Sequence, residues 1–170
     1  MQVLNYIGEM LLGIISNSII IVPCTAWLIA QLLKTIISSI VNREVDWRRL
    51  IGDGGMPSAH SATVMSLAIV VGDAAGYGSA LFGLALMFAI VVMHDASGVR
   101  RETGKQAESI LKMADVITNY FAESDINLKT EKLKVLVGHT PLQVTLGAVL
   151  GAAVAFLYIF IFRGIFGILH

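Results

Sequence analysis

Apolar and polar positions are laid out along this chain in long blocks. From Met10 to Val41 the one formal charge is Lys34, and the run exceeds the roughly 20 residues a bilayer span needs. It predicts a membrane helix over residues 17–41, either entered near Asn17 or kinked at Pro23. Asn42 to Asp53 carries Arg43, Glu44, Asp46, Arg48 and Arg49 around Trp47 and reads as an interfacial loop. Two shorter apolar runs follow, over residues 57–75 and 79–97, separated by a glycine-rich turn at Gly72 to Gly78. Joined so tightly, they predict a transmembrane helical hairpin.

Between residues 105 and 121 the period changes. Ala107, Ile110, Leu111, Ala114, Ile117 and Phe121 share one helical face, and Lys105, Glu108, Lys112, Asp115 and Asn119 share the other. That is the pattern of an amphipathic helix at the bilayer interface or beneath the bundle. A polar linker, Glu123 to Thr130, and the basic pair Lys132 and Lys134 lead to the last apolar run, residues 141–162. The expected fold is all-α: a polytopic membrane helical bundle of about four spans plus an amphipathic interfacial helix, one domain over residues 1–170.

Composition sharpens this picture. The chain is 56% hydrophobic and 14% charged, far from a soluble average. Twelve Lys and Arg balance twelve Asp and Glu, so the whole-chain charge gives no nucleic-acid footprint. The single cysteine, Cys24, excludes an internal disulfide and reads as a small packing residue. Of the 12 Lys and Arg residues, only Arg163 falls outside one set of loops if there are four spans. The positive-inside rule makes that basic side cytoplasmic, in a cell membrane.

Chemistry concentrates in two short stretches on that side. The first is Gly54-Gly55-Met56-Pro57-Ser58-Ala59-His60-Ser61. Proline is favoured at a first helical position, so Pro57 is expected to open the second span. Ser58, Ala59, His60 and Ser61 would then present amides at the positive end of the helix dipole, an anion site. The second is Gly138-His139-Thr140-Pro141, where Thr140 can cap a helix that Pro141 begins. Two histidines at two helix N-termini, ringed by Lys and Arg, suit phosphoryl transfer without a metal: one as nucleophile, one as proton donor. No metal-ligand spacing stands out, so no metal or other cofactor is expected. His94 and His170 read as structural, and Gly147 and Gly151, four apart, as a place of close helix packing.

Met56-Pro57-Ser58-Ala59-His60-Ser61 resembles the Pro-Ser-Gly-His element of the type 2 phosphatidic acid phosphatase and vanadium haloperoxidase superfamily. Gly138 to Ala148 is similar to its later histidine motif, and Asp95-Ala-Ser-Gly-Val-Arg-Arg with Gly104-Lys105-Gln106-Ala107 points to a divergent membrane branch. The resemblance implies His139 as nucleophile, His60 as general acid, and Ser58 with the following amides as phosphate ligands. The chain departs from the superfamily at three places. Val41 stands seven residues after Lys34, where Arg-Pro would follow, and Leu133 takes an arginine's place. Gln143 replaces the carboxylate four residues after the nucleophile. Gln143 can still orient His139, Asp95 is the candidate for the missing acid, and Lys34, Arg100, Arg101 and Lys105 are candidates for the missing phosphate ligands.

The function expected is hydrolysis of a lipid phosphate or diphosphate through a phosphohistidine. The partners are that lipid and the bilayer, with no nucleic acid, and a homo-oligomer is compatible with it. The alternative is a catalytically weak or inactive phosphate-lipid binder or transporter that retains the cradle.

Overall fold

The structure is a computed structural model, and it describes residues 1–43, 55–120 and 139–165. The described residues form helices and no strand. They run in the order α1 (Gln2–Ser16), α2 (Ser18–Asn42), α3 (Ala59–Ala75), α4 (Ala80–Ser97), α5 (Val99–Tyr120) and α6 (Pro141–Ile159), which continues into a π-helical turn at Phe160–Ile165. Of the interfacial loop expected from Asn42 to Asp53, Asn42 is the last residue of α2 and Arg43 its C-cap; residues 44–53, the linker 123–130, and Lys132, Leu133 and Lys134 lie outside the described residues.

Side chains at the helix ends account for the boundaries. Asn17 leaves the helical region (φ −78°, ψ 110°), and its Oδ1 accepts from the Ile19 amide at 2.9 Å. The first apolar run therefore breaks at Asn17, whereas Pro23 lies inside α2 without ending it. Ser79 caps α4 by accepting from the Phe82 amide at 3.1 Å, just after a turn through Gly76 at φ 88°. The Tyr77 ring lies over Gly72, where a Cβ would collide with it, and meets Phe82 edge-on with centroids 5.2 Å apart. The hairpin expected of α3 and α4 is thus closed by aromatic packing as well as by glycine.

At 1.5 Å per residue, α2 (25 residues), α4 (18) and α6 (19) are about 37, 27 and 28 Å long, against a hydrocarbon core of roughly 30 Å. By length and composition, α2, the run from α4 into α5, and α6 can cross a membrane. The 17-residue α3 is shorter and apolar, and it sits in the middle, packed on α2, α4 and α6.

What makes α3 central is the size of its side chains. Ala59 and Ala62 meet Ala26 and Ala30 of α2; Val70 joins Val22 and Ala155; Val64 and Ala68 meet Ala89 of α4. Gly147 and Gly151 of α6 lie directly against the Ser58 and Ala62 carbonyls, where any Cβ would overlap them. Small residues let helix backbones approach, the usual basis of association where lipid removes the hydrophobic drive. Large apolar residues point the other way: Leu28, Leu32 and Ile36 of α2, Leu84 and Phe88 of α4, and Val149 and Phe156 of α6 are exposed. A small, partly polar interior inside a bulky apolar exterior is the distribution of an all-α membrane bundle.

α5 is amphipathic as the period predicts, but it begins at Val99 rather than near residue 105. Gly104 is buried, and Ala107, Leu111 and Ala114 on the same stripe are half-buried, while Ile110, Met113, Val116 and Ile117 are exposed. Its charges pair within the helix, Lys105 with Glu102 at 2.6 Å and Lys112 with Glu108 at 2.8 Å. The hydrogen bond and charge of Lys112 hold the Glu108 carboxyl below the usual carboxylate range, and Glu108 raises Lys112 in turn.

Candidate functional site

The interior of the bundle changes character toward one end. On α2 the buried stripe passes from Val22, Ala26 and Ala30 to Gln31, Lys34 and Thr35. On α3 the same end holds Ser58 and Ser61, both fully buried. This end also receives the start of α6 and the last turn of α4.

Ser58, not Pro57, is the helix cap. Its backbone is extended (φ −70°, ψ 116°), and its Oγ accepts from the Ser61 amide at 3.3 Å and the Ser61 hydroxyl at 3.0 Å. Pro57, joined to Met56 by a cis bond, stands one residue outside, because a capping hydroxyl reaches the third amide of the helix only from Ser58. Fewer amides are left than the sequence suggests for an anion site. The Ser58 amide donates to the Gln143 carbonyl at 3.1 Å, and the Ser61 amide is taken by the cap. Among the described residues, that leaves the Ala59 and His60 amides at the head of α3.

α6 starts with a capping box. Thr140 Oγ1 accepts from the Gln143 amide at 3.3 Å, and Gln143 Oε1 accepts from the Thr140 amide at 3.0 Å. Gln143 thereby fixes the first turn of the helix that follows His139. The His139 amide donates to the Ala96 carbonyl at 3.2 Å, which ties this residue to the end of α4. The two backbone bonds, Ser58 to Gln143 and His139 to Ala96, pin three helices together at one level.

The two histidines meet there. Their ring centroids are 6.4 Å apart, with the planes inclined by 50°. His139 is 9% exposed with Nδ1 buried, whereas His60 is exposed. Lys34, 5% exposed, lays its aliphatic stem against Gly55, which adopts φ 93°. A Cβ there would sit 2.8 Å from the lysine Cδ, so Gly55 lets the loop close over Lys34. Asp95, half-buried, is the neighbour of Ala96 in the last turn of α4. Lys34, Ser58, His60, Asp95, His139 and Gln143 are thus gathered at one end of the bundle.

The remaining candidates are placed differently. Arg100 and Arg101 lie in the first turn of α5, just past the break at Gly98. Lys105 is exposed and paired with Glu102, and α5 packs on α4 alone among the described helices. One residue of interest escapes the sequence reading. Gln31 is 6% exposed, and its Oε1 accepts no hydrogen bond among the described residues. The signal was available as a carboxamide in an apolar run, one turn before Lys34, since polar groups inside membrane helices tend to be functional.

Residues 15–154 match the Divergent PAP2 family. The chain belongs to that family. It is 36% identical over 144 residues to the uncharacterized membrane protein YuiD of Bacillus subtilis (strain 168). That alignment covers 81% of this chain and 91% of the relative. No solved structure matches. Both helix starts that carry the histidines fall inside the family match, as does all of the α2–α3–α4 packing.

Proposed function

We propose that this Divergent PAP2 protein hydrolyses a lipid phosphate or diphosphate through a phosphohistidine, with its site at the cytoplasmic face. The observation that carries the reading is the pairing of His60 and His139, held 6.4 Å apart at two helix N-termini, at the end of the bundle that also buries Lys34. Helix amides and Lys34 offer positive potential where a phosphoryl group accumulates charge. With Nδ1 of His139 buried, Nε2 is the attacking atom.

In the first step a P–N bond forms at His139 as the P–O bond to the leaving group breaks, the lipid alcohol from a monophosphate or the lipid monophosphate from a diphosphate, and protonated His60 passes its proton to the departing oxygen. In the second, water attacks phosphorus, His60 accepts the water proton, and the P–N bond breaks to release phosphate. Each half keeps its proton balance with the two histidines alone. Asp95 and Gln143 act as positioning groups, Asp95 from the end of α4 and Gln143 through the cap. Arg100 and Arg101 are near enough in the chain to extend the basic rim.

Phosphate release from a panel of lipid phosphates in detergent, with His139→Ala as the paired control, tests the reading. Release by the wild type and loss in the variant is expected, and vanadate, a mimic of five-coordinate phosphorus, should inhibit. The Gln143 carboxamide in place of an anion favours the second reading, a phosphate-lipid binder. Silence of folded wild type on every lipid, with phosphate-lipid binding retained, would establish that one instead.

A further inference from the structure

α4 and α6 both pack closely on α3 but touch one another only sparsely. Between them lies a groove of about 420 Å³, open on its outer side. This volume is within the roughly 300–1,000 Å³ of small-molecule sites. Its upper end is formed by His94, Ser97 and Pro141, and its deeper end by Ile90, Val144 and Ala148. The upper residues adjoin the site directly. Pro141 follows His139 by two residues, and Ser97 follows Ala96, whose carbonyl holds the His139 amide. Ala148, nine residues past His139, lies about 13 Å further along the helix at 1.5 Å per residue.

The hydroxyls on the wall are already used. Ser97 Oγ donates to the Met93 carbonyl at 3.0 Å, and Thr145 Oγ1 donates to the Pro141 carbonyl at 2.9 Å. Their protons are therefore spent within their own helices, and neither hydroxyl is left to donate to a molecule in the groove. His94 is the one ionisable residue among those lining it, and it stands at the end nearest the histidine pair. The slot thus runs along about two helical turns of α4 and α6, with His94 and Ser97 where the phosphate site begins and Ile90, Val144 and Ala148 at the other end.

Resting on the phosphatase reading of the histidine pair, we infer that this groove holds one hydrocarbon chain of the substrate. The phosphate reaches the α3 N-terminus while the chain runs down between α4 and α6, and His94 faces the polar linkage between them. The site is therefore entered sideways from the bilayer. It selects a phosphate whose alcohol carries a long chain within a few bonds of the ester oxygen, over water-soluble phosphate esters. Ile90 and Ala148 set how much chain is bound.

The test uses the full-length protein in phosphatidylcholine vesicles containing phosphatidic acid with a diazirine in its acyl chain. Photolabelling is expected on residues 90–97 and 141–148, displaced by unlabelled phosphatidic acid but not by unlabelled phosphatidylcholine. Either Ala148→Phe or Ile90→Trp should cut that labelling about tenfold. The same variants should lower the ratio of kcat/KM for dioleoyl over dibutyryl phosphatidic acid about tenfold. Labelling spread evenly over the exposed faces of α2, α4 and α6, the same for both lipids, would overturn the inference, as would an unchanged chain-length ratio. Cross-linking of one protein copy to another through Ile90 would assign the groove to a dimer contact and overturn it too. If the wild type hydrolyses nothing, the phosphatase reading fails while labelling still decides whether the groove holds a chain.

Discussion

Replacing Gly147 by alanine adds one methyl group at the point where α6 crosses the head of α3. The new Cβ would overlap the Ser58 carbonyl oxygen and come within 3.0 Å of Ser61 Cβ. Neither neighbour can swing aside: the first is backbone and the second belongs to a fully buried residue. α6 has to move outward by about 1 Å to restore ordinary contact distances, since apolar heavy atoms in contact lie near 4 Å. Overpacking of this kind costs about 1–3 kcal/mol. Gly83 provides the control, because nothing lies within 4 Å of its would-be Cβ on α4. There, exchange of glycine for alanine should be neutral or stabilise by up to ~1 kcal/mol through helix propensity. The propensity gain is common to both helical positions, so unfolding in mixed detergent and denaturing-detergent micelles should separate the two variants by about 1–3 kcal/mol. The displacement also reaches chemistry. The Ser58 amide hydrogen-bonds to Gln143, and His60 and His139 sit on the two helices being pushed apart. A misplacement near 1 Å can cost about 100-fold in turnover, to be read as phosphate release. Equal stability of the Gly147→Ala and Gly83→Ala proteins would refute the packing argument, whatever their activity.

Two further outcomes follow from the site. Lys34→Met keeps the apolar stem against Gly55 while deleting the charge. It should raise KM for phosphate lipids at least tenfold, as losing a charged hydrogen bond of about 1.5–3 kcal/mol requires. Gln143→Ala removes one half of the capping box and should cost about 0.5–1.5 kcal/mol with a fall in turnover. Gln143→Glu rebuilds the box and should recover both; a Glu variant as impaired as the Ala variant would show that Gln143 does not act through the cap.

The block pattern of the sequence was enough for the apolar helices α2, α3, α4 and α6, though not for α1 (Gln2–Ser16), because burial in a bilayer depends on length and composition, both one-dimensional. Residues 79–97 and 141–162 describe α4 and α6 to within a few positions, and the turn at Gly76 was legible as glycine in a polar gap. The two histidine stretches were legible too, since proline, serine and threonine beside a helix start carry a local capping meaning. Thr140 capping α6, with Pro141 at its first turn, needs no tertiary information at all. The close-packing role of Gly147 and Gly151 was likewise readable from their spacing.

Other features depended on the assembled bundle. Pro57 and Ser58 are both acceptable at the head of α3, and the choice rests on the Ser58 hydroxyl reaching Ser61 while its amide is engaged by Gln143. Either Asn17 or Pro23 could have broken the first apolar run; a side-chain cap at Asn17 decided it. Gln31 stands out in the sequence as a carboxamide in an apolar run, but only the packed bundle seals its oxygen from water. Composition and period determined that the chain forms membrane helices and which helix starts carry histidine, because those depend on neighbours along the chain. The 6.4 Å between the histidines, the burial of Lys34 beneath Gly55 and the groove between α4 and α6 come only from the tertiary structure, because they depend on how closely glycine and alanine let separate helices approach.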